Sequence, residues 1–177
     1  MGEKVISDVW GPSRHLTTDK KLYYVSFIDD YSRELVIYLM SLKDQVFSKF
    51  KLYEAMMSRQ QDVCIKTLFS DRGGEYTSKE FEDHLSRRGI KHQLTMHDTP
   101  EKNGVAEQLN RTLVKRSRAM LLESNLPKTL WGYAILHANY IKNRMHTCSL
   151  PDKTPYEMVH GKKPNLHDAY EWGRTYM

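Results

Sequence analysis

The chain has 177 residues, 40% hydrophobic and 28% charged, enough for one domain with a real core. It holds no run of 18 apolar residues, which excludes a membrane-spanning helix, and its start, MGEKVISDVWG, lacks the apolar segment of a secretory signal. The two cysteines, Cys64 and Cys148, form no C-x-x-C pair, which excludes a disulfide framework or a cysteine zinc site and reads as core or incidental thiols in a reducing compartment; the net charge of +5 and pI near 9.1 suit a nucleic-acid partner.

No internal repeat or low-complexity tract interrupts the chain. KVISDVW (4–10) predicts a strand ended by Gly11-Pro12. A polar loop follows, then LYYVSFID, a continuous β-type run that fits a buried strand. DDYSRE reads as a hairpin turn and LVIYLM as the returning strand, with Asp29 and Asp30 as turn residues and Asp30 pairing locally with Arg33. Asp44 is placed to cap a helix through about Gln60, its apolar face marked by Phe47, Phe50, Tyr53 and Met57 at 3- and 4-residue steps. CIKTLFS predicts a strand that runs into Asp71, and DRGGEY a turn in which Gly73 and Gly74 take positive φ.

Ser78 caps the next predicted helix, through about Arg88, and Gly89 stops it. KHQLT is a short strand and DTPEKNG a mobile loop by composition. A helix is expected from about Gly104 to Glu123, with Val105, Leu109, Leu113 and Met120 near one face, and Pro127 opens another through about Asn143. The remaining tail is rich in turn residues and reads as a surface extension. Three hairpin-connected strands followed by helical crossovers predict an α/β fold, a mixed five-stranded sheet flanked by helices. The expected division is a catalytic core over 1–145 and a C-terminal extension of that core, expected to be truncated, over 146–177.

Three acids occupy positions that a core does not explain. Asp8 lies inside a predicted central strand, Asp71 at the end of another before a glycine pair, and Glu107 in the first turns of a helix. A strand-interior Asp is costly unless paired or metal-bound. Three converging carboxylates repel one another, and a divalent cation with oxygen ligands removes that repulsion.

Between Asp71 and Glu107 lie 35 residues. This spacing, with SDVWGP around Asp8, FIDDYSR at 27–33, SDRGGEY around Asp71, TPEKNGVAEQLNRTL around Glu107, and WGYAILHANYIKNR and KTPYEMVHGKKPNL downstream, resembles the D,D-35-E integrase core of copia-type LTR retrotransposons over about residues 4–170. The resemblance implies an RNase H-like fold and a polynucleotidyl transferase with Asp8, Asp71 and Glu107 as catalytic residues and ligands of two Mg²⁺ or Mn²⁺ ions. In that two-metal scheme one ion activates the attacking oxygen and the other stabilises the leaving oxygen. Water is the nucleophile in 3′-processing, and the 3′-hydroxyl of the element's DNA end in strand transfer.

It further implies double-stranded DNA as partner, from both element ends and target, assembly as a homodimer or higher multimer, and a nuclear location. Family members carry a His/Cys zinc segment before the core and a long region after it. Neither is present here, so the chain is expected to be the catalytic core of a longer protein. Gln108 stands where the family usually has Arg, a departure that bears on a phosphate contact and not on metal binding. A host-adopted module that keeps the fold but no longer integrates is the competing reading; the intact triad favours the enzyme.

The helix that begins near Glu107 is otherwise basic. Glu107, Arg111, Lys115 and Arg118 step by 4, 4 and 3 residues and share one face. The acid faces the metals in this reading, and the three bases follow DNA phosphates. Asn103 sits at the loop-to-helix junction beside them as a further DNA-binding candidate. His92 and His97 read as polar loop residues rather than ligands, and Trp131, Tyr133 and Tyr140 as core or interface.

Overall fold

The structure, a computed structural model, describes residues 2–94, 100–166 and 172–173, with backbone alone at 100–103 and 105. Five strands form one mixed sheet: β1 (Lys4–Trp10), β2 (Tyr23–Asp29), β3 (Leu35–Met40), β4 (Thr67–Ser70) and β5 (Lys91–Leu94), in the order β3-β2-β1-β4-β5. β1, β2 and β3 pair antiparallel as a meander, whereas β1–β4 and β4–β5 are parallel. Parallel neighbours need crossovers, and helices supply them: α1 (Val46–Gln60) leads into β4 and α2 (Lys79–Arg88) into β5. Three more helices follow, α3 (Pro100–Glu123), α4 (Trp131–Arg144) and α5 (Pro155–His160).

The sheet separates two apolar layers, and strand alternation decides which side chain joins which. Val5, Val25, Phe27, Met40 and Leu68 meet Phe50, Tyr53 and Met57 of α1 and Phe81 and Leu85 of α2. Ile6, Tyr24, Ile28, Leu35, Ile37 and Phe69 meet Ala106, Leu113 and Leu121 of α3 and Trp131, Ala134 and Ile135 of α4. Aromatic contacts fill the first layer: Phe27 stacks on Tyr53 at 4.8 Å and Phe50 meets Phe81 edge-on at 5.2 Å. The turn pair expected in the hairpin is present, with Arg33 on Asp30 at 3.0 Å. Asp29 is buried, accepting from Gly2 N, Ser32 N and Ser32 Oγ.

Several local expectations give way. Asp44 does not cap α1. It lies in a short 3₁₀ turn, Lys43–Gln45, that leads into the helix, and the Gln45 side chain reaches back to Ser41 N at 2.8 Å. Gly73 and Gly74 are not at positive φ; the turn closes through Tyr76 N to Gly73 O at 2.9 Å. A Cβ at Gly73 would meet the Glu75 carboxylate at 2.8 Å and Asp71 Oδ1 at 3.0 Å, so a larger residue there displaces the Glu75 side chain.

Helix α3 begins at Pro100, not near Gly104; proline suits a first helical turn, where no N–H partner is needed. His97 and the rest of 95–99 lie outside the described residues. The tail holds a helix, α5, that its turn-rich composition hid. Thr154 and Glu157 form a capping box around Pro155, with Thr154 N donating to Glu157 Oε2 at 2.8 Å. Both cysteines are exposed, not core.

Candidate active site

Asp8 and Asp71 lie far apart in sequence, and strand register brings them together. The β1–β4 pairs run Lys4↔Thr67, Val5↔Leu68 and Ile6↔Phe69. The same offset, extended two residues past the last of these pairs, puts Asp8 level with Asp71, just after β4 ends. Ile6 and Phe69 both belong to the layer under α3 and α4, and a step of two residues keeps the same face. Asp8 leaves the sheet toward α3, and Asp71, which directly follows β4, is near enough for its charge to act on Asp8.

Asp8 sits on a mostly apolar face. Across β1 and β2 the pairs on this side are Ile6↔Ile28, Asp8↔Ser26 and Trp10↔Tyr24, the last two rings stacked at 5.3 Å. Ser26 is fully buried and donates to the Asp8 carbonyl at 3.1 Å. The Asp8 carboxylate accepts from Val9 N at 2.9 Å and from Asn110 Nδ2 of α3 at 2.7 Å. Asn110 is itself buried, and its Oδ1 accepts from the Tyr24 hydroxyl at 3.0 Å. With its oxygen taken by a hydroxyl donor, the amide must present its NH₂ to Asp8. Tyr24, Asn110 and Asp8 thus form a directed chain from β2 through α3 to β1.

Burial is the main force on Asp8, raising its pKa above the ordinary carboxylate value. The Asn110 hydrogen bond pulls it back, while the charges of Asp71 and Glu107 push it up. The three acids therefore share one electrostatic field. Asp71, half-buried, follows β4 directly, and its Oδ1 accepts from Gly73 N at 3.0 Å. Glu107 is exposed on α3, one residue past the buried Ala106 and three before Asn110. Among the described residues no three His, Cys, Asp or Glu side chains stand at ligating distance from one point.

Arg111, Lys115 and Arg118 are all exposed on α3, on the stripe that starts at Glu107. Arg116 turns away from them, with Nη1 3.9 Å from Met145 Sδ. Asn103 lies in the first turn of α3, its side chain outside the described residues. His92 is not a loop residue. It lies in β5, its ring bridging Ser70 Oγ at 2.9 Å and Glu82 at 2.6 Å. Trp131 belongs to the core, its Nε1 donating to His15 O at 2.7 Å, whereas Tyr133 is exposed and donates to Asp19 at 3.1 Å. Tyr140 carries the Arg144 guanidinium on its ring at 3.5 Å.

Sequence reasoning missed Asn110, Tyr24, Ser26 and Ser70. Asn110 carried a usable signal: on the α3 stripe Ala106, Asn110, Leu113, Ser117 and Leu121, all buried, it is a polar residue where the helical period calls for an apolar one.

Comparison with known proteins bears on the fold and the family. The integrase core domain family model matches residues 2–100. The chain is 45% identical over 151 residues, 85% of its length, to the retrovirus-related Pol polyprotein from transposon TNT 1-94 of Nicotiana tabacum. It is 34% identical over 181 residues to the Pol polyprotein from transposon RE2 of Arabidopsis thaliana, a match covering 98% of the chain. It spans only 11% and 12% of those polyproteins.

Among solved structures it is similar to a simian T-cell lymphotropic virus intasome in complex with PP2A regulatory subunit B56 gamma. The TM-score is 0.70 at 17% identity, over 93% of this chain and 56% of that one. A second is the HTLV-2 integrase catalytic core domain in complex with magnesium, in trimeric form, with TM-score 0.64 at 20% identity, over 90% and 97% of the two chains. Those likenesses establish the RNase H-like α/β fold of integrase catalytic cores, and with the family match and the polyprotein relatives they lead to one assignment: this chain belongs to the integrase core domain family, as a catalytic core of the LTR-retrotransposon kind.

Proposed function

We propose that this chain is the catalytic core of a DNA integrase, a polynucleotidyl transferase that joins 3′-hydroxyl ends of element DNA to target DNA. The observation that supports the reading is that Asp8 lies on the face covered by α3, bonded there to Asn110, with the charges of Asp71 and Glu107 both acting on it. In strand transfer the 3′-hydroxyl oxygen attacks a target phosphorus. One P–O bond forms, one breaks, and a target 3′-hydroxyl leaves.

The donor set fits hard divalent cations, Mg²⁺ or Mn²⁺, and two are proposed. The three candidate ligands are all carboxylates, and Asp8 bears an electrostatic penalty from Asp71 and Glu107 that a cation offsets. Once bound, such ions supply a nucleophilic oxygen at neutral pH and neutralise charge on the leaving oxygen. The residues do the rest. Asn110, held by Tyr24, fixes which Asp8 oxygen is engaged by protein. Gly73 N does the same for Asp71. Arg111, Lys115 and Arg118 hold phosphates along the exposed stripe of α3, and Asn103 lies at its entry.

The proposed partners are double-stranded DNA and further copies of the chain in a homodimer or higher multimer, and the proposed location is the nucleus. One assay tests the reading: strand transfer from a short DNA duplex into a plasmid, with Mn²⁺, comparing the chain with Glu107→Gln. The substitution keeps shape and removes one ligand charge. It abolishes joining while DNA binding stays unchanged or rises slightly. Equal joining by both proteins overturns the assignment of Glu107, and with it the triad.

A further inference from the structure

Asp71 is supported from the opposite side of the sheet to Asp8. Ser70, one residue before it, lies on the α1/α2 face, in register with Leu94 of β5. Its hydroxyl is 2.9 Å from the Asp71 carbonyl oxygen and 2.9 Å from His92 Nε2. His92 Nδ1 is 2.6 Å from Glu82 Oε1 on α2. The His92 side chain is only 7% exposed, its ring edge-on to Phe81 at 6.2 Å. A buried imidazole with both nitrogens engaged has one orientation, and a buried serine between a ring and a main-chain carbonyl has few rotamers.

We propose that Glu82, His92 and Ser70 form a positioning relay that fixes the backbone of Asp71, and so the direction of its carboxylate. None of the three touches the reacting atoms. They act through the peptide of Asp71, as outer partners orient the ligands of a metal site. The inference rests on the reading of Asp71 as a ligand. It explains why a strand with an apolar partner layer carries serine at its last residue, and why its neighbour β5 carries a buried histidine. The two aspartates are then held by separate chains: Tyr24–Asn110 from the α3 side, and Glu82–His92–Ser70 from the α2 side.

The test is Mn²⁺ binding by the chain without DNA, read from the electron paramagnetic resonance of free Mn²⁺, in wild type, Asp71→Asn, Ser70→Ala, His92→Phe and the double variant. Circular dichroism checks that each is folded. Asp71→Asn loses binding. Ser70→Ala and His92→Phe each weaken it by about tenfold, the lower end for outer-shell partners. The double variant is no weaker than either single, because both cut the same chain.

Glu82→Gln, at the half-exposed end of the relay, leaves the core filled; it shifts binding the same way and replaces His92→Phe in the cycle if that variant does not fold. If Asp71→Asn loses binding while Ser70→Ala and its partner variant stay within about twofold of wild type, the relay is overturned and the function stands. Additive losses in the double variant also overturn it. Absence of Mn²⁺ binding in wild type overturns the relay together with the reading of Asp71 as a ligand in the DNA-free chain.

Discussion

Replacing Asn110 with alanine isolates what holds Asp8. Two hydrogen bonds disappear: one to a carboxylate at 2.7 Å, one from a buried tyrosine hydroxyl at 3.0 Å. A hydrogen bond to a charged group contributes about 1.5–3 kcal/mol, and a buried hydroxyl left without a partner costs about 1–3 kcal/mol. Alanine returns about half a kcal/mol as the better helix former. The net loss is then about 2–5.5 kcal/mol, which lowers the melting temperature of a chain this size by about 4–22 °C.

The loss depends on pH in a defined direction. Burial already raises the Asp8 pKa in the folded chain, and Asn110 limits the rise. Without Asn110 the folded pKa climbs further, so the added cost exists only while Asp8 is ionised. It is complete above the raised folded pKa of the variant and is lost as pH falls through the folded pKa values of variant and wild type. Urea unfolding of wild type and Asn110→Ala at pH 7 and near pH 3 measures both parts. A loss under about 0.5 kcal/mol at pH 7, or one of equal size at both pH values, refutes the reasoning.

Two further outcomes are expected. In Asp71→Asn the Asp8 carboxyl titrates at lower pH than in wild type, and in Glu107→Gln it also moves down but by less, because Asp71 is the stronger of the two neighbours; carboxyl carbon chemical shifts followed against pH measure this, and an unmoved titration in both variants means that the acids share no field. Lys115→Ala weakens DNA binding for all sequences and lowers the salt slope by about one, as do Arg111→Ala and Arg118→Ala. Unchanged salt dependence in all three reduces that stripe to a solvated surface.

The strands and helices around the sheet were legible because their patterns are local. LVIYLM after a polar turn, phenylalanines at helical steps in α1 and a glycine after Arg88 each need only neighbouring residues to be read. Asp8, Asp71 and Glu107 were singled out by cost, as acids where a core resists them, and by their spacing. What the sequence did not disclose is pairwise and distant. Asn110 bonding to both Asp8 and Tyr24, or His92 to Ser70 and Glu82, depends on which strands become neighbours, and side-chain type does not encode that. The Gly73-Gly74 expectation also failed. Gly73 sits close to the side chains of Glu75 and Asp71, two residues away on either side, and its backbone angle is ordinary. The start of α3 at Pro100 was misjudged because polar composition suggested a loop while proline was marking a first turn.

The alignment of Asp8 with Asp71 by β1–β4 pairing has a consequence for how the gene can change. Nothing in that pairing depends on how many residues separate the two strands. Extra residues at the exposed turn beside Asp62 leave the pair untouched, so this point is suited to carry an inserted tag or reporter. Deleting one residue inside Thr67–Ser70 is a different event. Either Asp71 draws back one position along β1, or the strand inverts its faces and sends the carboxylate to the side of Phe81. The chain is thus permissive to length between its strands and intolerant within them, and length variation among related sequences should collect where the strands end.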